Sequence, residues 1–133
     1  MVNVFIKFVI KNDKLDLNRI KTDIPLVADV YEKGKVYDNK YGIKSTPQKT
    51  NRWVYSKDYI SCKNANEALT AMLKDLKPVL KNIQPYTKKF NTLMDMVIYV
   101  EKTTCRFNTT FSKPNIKLLN LLNTKMSITF VDF

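Results

Sequence analysis

The 133-residue sequence holds no histidine, two cysteines and two glycines, and those counts exclude most catalytic machinery. A Ser–His or Cys–His pair needs an imidazole to take the nucleophile's proton, so that chemistry is absent. Cys62 and Cys105 stand 43 positions apart with no CxxC partner. A zinc site built on them would have to use carboxylates in place of imidazoles. Gly34 and Gly42 are isolated, whereas a phosphate-cradling loop needs clustered glycines. The 12 Asp and Glu residues show no spacing that singles out a pair for acid–base work. The expectation is a protein that is not an enzyme and carries neither cofactor nor metal.

What the chain has in excess is positive charge. The formal net charge is +11, a field that favours acidic partners and speeds their encounter. Residues 32–63 carry eight Lys or Arg against three acids, and residues 74–89 carry five against one. On a helix turning about 100° per residue, Lys74, Lys77, Lys81 and Lys88 fall within about 60° of one another and form a ridge. Lys33, Lys35 and Arg52 come from the first basic stretch. The bland alternatives are a solvated helix face with snorkelling lysines and a compositional bias, since 20 of the 23 basic residues are Lys. Nucleic-acid readers lean on Arg, whose planar fork matches phosphates and guanine edges. Trp53, Tyr55 and Tyr59 lie among Arg52, Lys57 and Lys63, an interleaving that single-strand binders use for stacking, although a tryptophan on a strand is more commonly core.

One stretch organises the elements that must position these groups. From Asn64 to Pro85, Leu69, Met72, Leu73, Leu76, Leu80 and Ile83 recur every three or four residues, the stripe of an amphipathic helix. Asn64 and Glu67 have capping-box spacing. Burying six such side chains is worth roughly 9–18 kcal/mol gross, against about 3 kcal/mol for Pro78 inside the helix. The spacing predicts one long helix kinked at Pro78, or two nearly collinear ones.

Before it, Val2, Val4, Ile6, Phe8 and Ile10 alternate as a strand, and Phe5 and Val9 place that strand inside a sheet. Leu15, Leu17 and Ile20 suggest a short helix capped by Asp13 or Asp16 and ended by Ile24-Pro25. Leu26 to Tyr37 reads as a strand or extended segment interrupted near Lys33-Gly34, Asp38 to Asn51 as a loop, and Arg52 to Tyr59 as a strand. After the main helix, Met96 to Val100 reads as a central strand covered on both faces, and Phe107 to Phe111 as a short strand. Ser112 caps an apolar helix containing Ile116, Leu118, Leu119, Leu121 and Leu122, and Met126, Ile128 and Phe130 alternate in a closing strand. The fold class is α+β, a single domain over residues 1–133. Its sheet is mainly antiparallel with two or three helices on one face, in the manner of a ferredoxin-like split βαβ unit with an added C-terminal helix and strand.

No apolar run approaches the ~20 residues of a membrane span. The start, MVNVFIKFVIKN, lacks a basic leader and a small-residue cleavage site. Two isolated thiols then read as reduced, and the expected compartment is the cytoplasm. The sequence is silent on self-association.

WVYS at Trp53–Ser56, EALTAMLKDLKPVL at Glu67–Leu80, MVIYVE at Met96–Glu101 and the ending FSKPNIKLLNLLNTKMSITFVDF together resemble the bacterial domain-of-unknown-function family 4279. The pair Lys33-Gly34 resembles the lysine-glycine that the family places before its tryptophan strand. The chain departs from the family pattern at Asn123-Thr124, where a glycine turn is common, and at Phe133, where a tyrosine is. The resemblance implies a small bacterial protein of unassigned activity and carries no catalytic residues. The functional expectation is therefore a non-enzymatic binding module for an acidic protein partner, an immunity-type inhibitor of a toxin being one instance. It would engage through the lysine ridge (Lys74, Lys77, Lys81, Lys88) and the 33–49 loop with Lys33 and Lys35, together with Arg52. The alternative is a basic nucleic-acid-binding accessory protein. No membrane partner is expected.

Overall fold

Val4, Ile6, Phe8 and Ile10 are each at most 1% exposed and lie on one side of the first strand, β1 (Val2–Lys11). That row is the floor of the core, and a computed structural model describing residues 1–101 and 109–132 shows what covers it. Helix α1 (Leu17–Asp23) follows, then β2 (Asp29–Tyr31), a long loop, and β3 (Arg52–Cys62). Helix α2 (Ala65–Leu76) leads through a 3₁₀ turn (Lys77–Val79) into α3 (Leu80–Lys89). Strand β4 (Asn91–Val100), helix α4 (Lys113–Leu121) and strand β5 (Lys125–Asp132) complete the order.

The five strands form one mixed sheet in the order β2-β3-β1-β4-β5. β1 pairs antiparallel with β3 and β4, β2 pairs antiparallel with β3, and β5 runs parallel to β4. Three helical units, α1, α2–α3 and α4, supply side chains to the single apolar cluster on the β1 floor. Leu69, Met72, Leu73, Leu76 and Ile83 are buried there, with Leu80 only partly so. Phe8 meets Trp53 edge-on at 6.2 Å between ring centroids. Val9 and Val54 are also buried but stand outside that cluster, on the opposite side of the sheet.

Local chemistry explains the boundaries. Asn64 Oδ1 accepts from the Glu67 N–H at 2.9 Å, as the capping box requires, but Glu67 returns its bond to the N–H of Lys63, at 2.7 Å. Asp16 caps α1 by accepting from Arg19 N–H, while Asp13 pairs with Lys33. Pro78 opens the 3₁₀ turn, where a missing N–H does least harm. Pro85 does not end the helix: α3 runs on to Lys89. Lys81, whose carbonyl loses its donor four residues on, and Pro85 are both exposed, so water can take that hydrogen bond.

Several sequence expectations are corrected. β4 lies inside the sheet, as expected, but it is not covered on both faces: Met96, Ile98 and Val100 are buried, whereas Val97 is half-buried and Tyr99 exposed. An open face needs only scattered apolar residues, so a five-residue apolar run was read as more burial than it has. Of Leu26–Tyr37 only Asp29–Tyr31 is strand. Phe107 lies outside the described residues, so the Phe107–Phe111 strand is untested there, and Thr109 to Phe111 form no strand. Cys105 also lies outside them, while Cys62 is a buried free thiol.

Helix α4 departs most from its apolar reading. Ile116 and Leu121 face outward, and its buried residue is Asn115. The Asn115 amide donates to Asn66 Oδ1 at 2.9 Å and to Thr70 Oγ1 at 2.8 Å, and Ser112 N–H donates to the same Asn66 oxygen at 3.0 Å. A polar clasp thus docks α4 on α2. Replacing Asn115 with Ala removes both amide bonds, leaving Asn66 Oδ1 with the Ser112 N–H alone and Thr70 Oγ1 without that donor, and urea denaturation of Asn115→Ala is expected to show a loss of about 2 kcal/mol; an unchanged midpoint would mean the clasp contributes nothing.

Candidate functional site

Register determines which charges meet. The antiparallel pairing sets Lys11, the last residue of β1, against Arg52 at the start of β3 and against Asn91 at the start of β4. Lys125, the first residue of β5, pairs with Leu93 two residues into β4. One end of the sheet therefore collects cations from segments far apart in sequence. The turn after β1 adds Lys14, the loop before β3 adds Lys49, and the last turn of α3 adds Lys88 and Lys89.

Surface hollows show how these groups adjoin. Lys11 lines three of them: one of about 500 Å³ shared with Phe90 and Lys125, one of about 460 Å³ shared with Lys14 and Thr50, and one of about 290 Å³ shared with Lys49 and Arg52. Lys14, Lys89 and Phe90 also border a 470 Å³ cleft between α1 and α3. Asn51 fixes the loops here. Its amide donates to the Leu15 carbonyl at 3.1 Å, its Oδ1 accepts from Lys33 N–H at 2.7 Å, and its own carbonyl accepts from Asn12 N–H at 3.1 Å.

Among the described residues, Lys11, Lys14, Lys49, Arg52, Lys89 and Lys125 make no ion pair. The nearby carboxylates are engaged elsewhere. Asp13 binds Lys33 at 3.0 Å, and that hydrogen bond holds its carboxyl below the usual carboxylate range. Asp16 caps α1. Asp23 takes Arg19 at 3.6 Å and the hydroxyl of Tyr86. Lysine and arginine offer donors and no acceptor, so this end of the sheet can bind anions and orient them. Among the described residues no three Asp, Glu or Cys converge as a metal site.

The structure distributes the sequence-predicted cations unevenly. Arg52 stands at the basic end, its guanidinium 4.8 Å from the Tyr31 ring centroid and its Nε buried without a partner. Lys33 is paired with Asp13, and Lys35 with Glu32, whose hydrogen bond raises the Lys35 pKa. Lys74 is exposed in the last turn of α2, Lys77 in the 3₁₀ turn, and Lys81 and Lys88 on α3. The 3₁₀ turn between them changes the pitch on which the ridge was drawn. Lys49 closes the 33–49 loop named from the sequence, whereas Lys11, Lys14, Lys89 and Lys125 were missed. Their one sequence signal is position: Lys11, Lys89 and Lys125 are terminal residues of their elements.

A second constellation locks α2 to β3. Tyr55 donates to Asp75 Oδ2 at 2.8 Å and Lys57 Nζ lies 3.0 Å from the same oxygen. Burial pushes the Asp75 carboxyl up, but the bonds from Lys57 and Tyr55 prevail and the net shift is down. The bond to Asp75 in turn holds Lys57 above its usual range. Trp53 and Tyr55 are core residues, 0% and 6% exposed, and the Tyr59 hydroxyl is buried with no hydrogen-bond partner among the described residues.

The chain belongs to the family described as Domain of unknown function (DUF4279), whose model matches residues 3–132. No curated protein and no solved structure matches it.

Two tyrosines make stability depend on high pH. Burial, with the Asp23 bond second, pushes Tyr86 up to about 12, and burial pushes Tyr59 up to about 12, against about 10 in an unfolded chain. Their contribution is complete below about pH 10 and is lost as pH rises through about 12, because the unfolded chain gives up those protons first. Denaturation across that window should show falling stability, with a shallower fall in Tyr86→Phe. Tyr59→Phe removes an unpartnered hydroxyl and is expected to gain about 1 kcal/mol at neutral pH; a loss of stability would reveal a hydrogen bond there.

Proposed function

We propose that this chain is a non-catalytic binding module for an acidic protein partner, of which an immunity-type inhibitor of a toxin is one instance. The observation that carries the reading is the basic end of the sheet, where six cations adjoin without an ion pair among the described residues. Cations left uncompensated repel one another and lower stability. An arrangement that tolerates this suits a surface whose counter-charge arrives on a partner. Arg52 belongs to this contact, Lys88 flanks it beside Lys89, and Lys74, Lys77 and Lys81 extend the positive field along α2 and α3. Such charges act mainly on the association rate.

The nucleic-acid alternative leans on aromatics next to cations. Trp53 and Tyr55 are buried in the core, which leaves at the basic end Tyr31 beneath Arg52 and Phe90 beneath Lys89, both half-buried, and favours the protein reading. We also read the first four strands as a ferredoxin-like split βαβ unit. In support, β2-β3-β1-β4 stand in that order with every neighbour antiparallel; α4 and β5 are then the addition. The buried free thiol of Cys62 supports a reducing compartment, and we place the protein in the bacterial cytoplasm.

Tagged protein passed over lysate at low salt should retain one stoichiometric acidic protein, identified by mass spectrometry. Reversing Lys11, Lys49 and Lys125 to Glu should cut its association rate roughly tenfold or more, and added salt should do the same to the parent chain. Reversing Lys74, Lys77 and Lys81 should have the smaller effect. Retention indifferent to both triple variants would refute the electrostatic reading. Retention of nucleic acid in place of protein, with a steep salt dependence, would establish the alternative.

A further inference from the structure

The loop between β2 and β3 is anchored at two points, and the anchors shape one of the hollows at the basic end. The Gln48 N–H donates to the Lys35 carbonyl at 2.9 Å, and the Gln48 carbonyl accepts from the Gly34 N–H at 2.8 Å. Asn51 ties the end of the loop to the turn after β1 through Asn12 and Leu15. Between these anchors Lys49 and Thr50 stand beside Lys11 and Arg52, and all four line the 290 Å³ hollow. Backbone held in this way presents its cations in place before a ligand arrives, which lowers the ordering cost of binding.

Three cations and no carboxylate line this hollow. Asp13 borders the neighbouring one, across Thr50, and is held by Lys33 at 3.0 Å. The Arg52 guanidinium lies against the Tyr31 ring, and its Nε is buried with no acceptor among the described residues. A buried donor without an acceptor is costly, so an oxyanion entering here gains a bond that the free chain lacks. Charge then selects the anion. A carboxylate offsets one of the three cations, whereas a phosphomonoester carries about −1.5 to −2 and offers three acceptor oxygens. Arginine supplies the fork that matches those oxygens in pairs, and the two lysines supply point charges beside it. Size selects what carries the anion. The hollow stands at the foot of the roughly 300–1,000 Å³ range of pockets that enclose a small molecule. It takes a phosphoryl group and leaves the carrier outside, over Lys14 and Lys125 in the hollows that Lys11 also lines.

We propose that the Lys11–Lys49–Arg52 hollow receives a phosphorylated serine or threonine of the acidic partner. The proposal rests on the reading of the basic end as a partner surface and names the group that anchors the partner there. Arg52 takes two phosphoryl oxygens, Lys11 and Lys49 balance the remaining charge, and the partner's carboxylates lie over the surrounding lysines. Phosphorylation of the partner then acts as a switch, because it supplies the charge-assisted hydrogen bonds that a carboxylate makes only in part.

Calorimetric titration of the full chain at low salt tests this, with a synthetic peptide of one phosphoserine among glutamates and the same peptide with Glu in place of the phosphoserine. The phosphopeptide is expected to bind roughly tenfold more tightly or better. Arg52→Lys keeps the charge but removes the fork, and should weaken the phosphopeptide about tenfold while changing the Glu peptide little. Lys49→Gln, on the exposed loop, should weaken the phosphopeptide too, whereas Lys113→Gln, which removes the same charge from the exposed start of α4, should not. Free phosphoserine should bind more weakly than the phosphopeptide, because it lacks the acidic carrier. Equal affinity for the two peptides would overturn the proposal and leave the acidic-partner reading standing, since that reading falls only with the lysate experiment above. An Arg52→Lys chain that binds the phosphopeptide as the parent does would also overturn it. So would a Lys113→Gln chain as impaired as Lys49→Gln, free phosphoserine bound as tightly as the phosphopeptide, or no binding of either peptide.

Discussion

The packing of α2 against the helix side of β1 is the contact on which the other features depend. Phe8, Ile6 and Ile10 on the strand and Leu69, Met72, Leu73 and Leu76 on the helix are buried together in one cluster. Burial at roughly 25 cal/mol per Å² is the largest favourable term available to a chain of this size. It fixes β1 in the middle of the sheet, because both neighbours must extend the same floor. It fixes register as well: a one-residue slip would turn Ile6 and Phe8 to the open face and bring Lys7 under the helix. Once register is fixed, Lys11 must face Arg52 and Asn91, and the basic end follows from the core.

That dependence separates what the residues disclosed from what they did not. The α2 stripe, its Asn64 cap and the alternation of β1 are local patterns, and each reappears in the structure because local chemistry and tertiary packing agree there. Ser112 as the cap of α4 is of the same kind, accepting from Asn115 N–H. Helix α4 itself shows where local pattern misleads. Its leucines suggested a uniformly buried helix, yet Asn115 sits deepest because Asn66 and Thr70 on α2 wait to receive it. No spacing within residues 113–121 reveals partners 45 and 49 residues away.

The cations divide along the same line. A helical ridge can be drawn from sequence by rotation alone, so Lys74, Lys77, Lys81 and Lys88 were legible as a group. Lys11 and Lys125 were not, since nothing brings them together except strand order and register. Lys33 and Lys35 looked equally available in sequence, but Asp13 lies 20 positions upstream of Lys33 and meets it only because Asn51 ties the two loops together. Exposed pairs of this sort contribute little to stability. Their effect is on the field: they offset two of the loop's lysines, while the cations at the sheet end make no ion pair among the described residues.

A sheet covered on one side leaves an open face and two edges, and a chain this basic must keep them from binding anything at hand. The short β2 edge and the basic loop beside it deter other copies of the chain by repulsion. The β5 edge cannot use that device, since Asp132 offsets Lys125 on that strand. Charge therefore sorts the described surface into a strongly basic end and a nearly neutral edge, and ionic strength changes the field at the first far more than at the second.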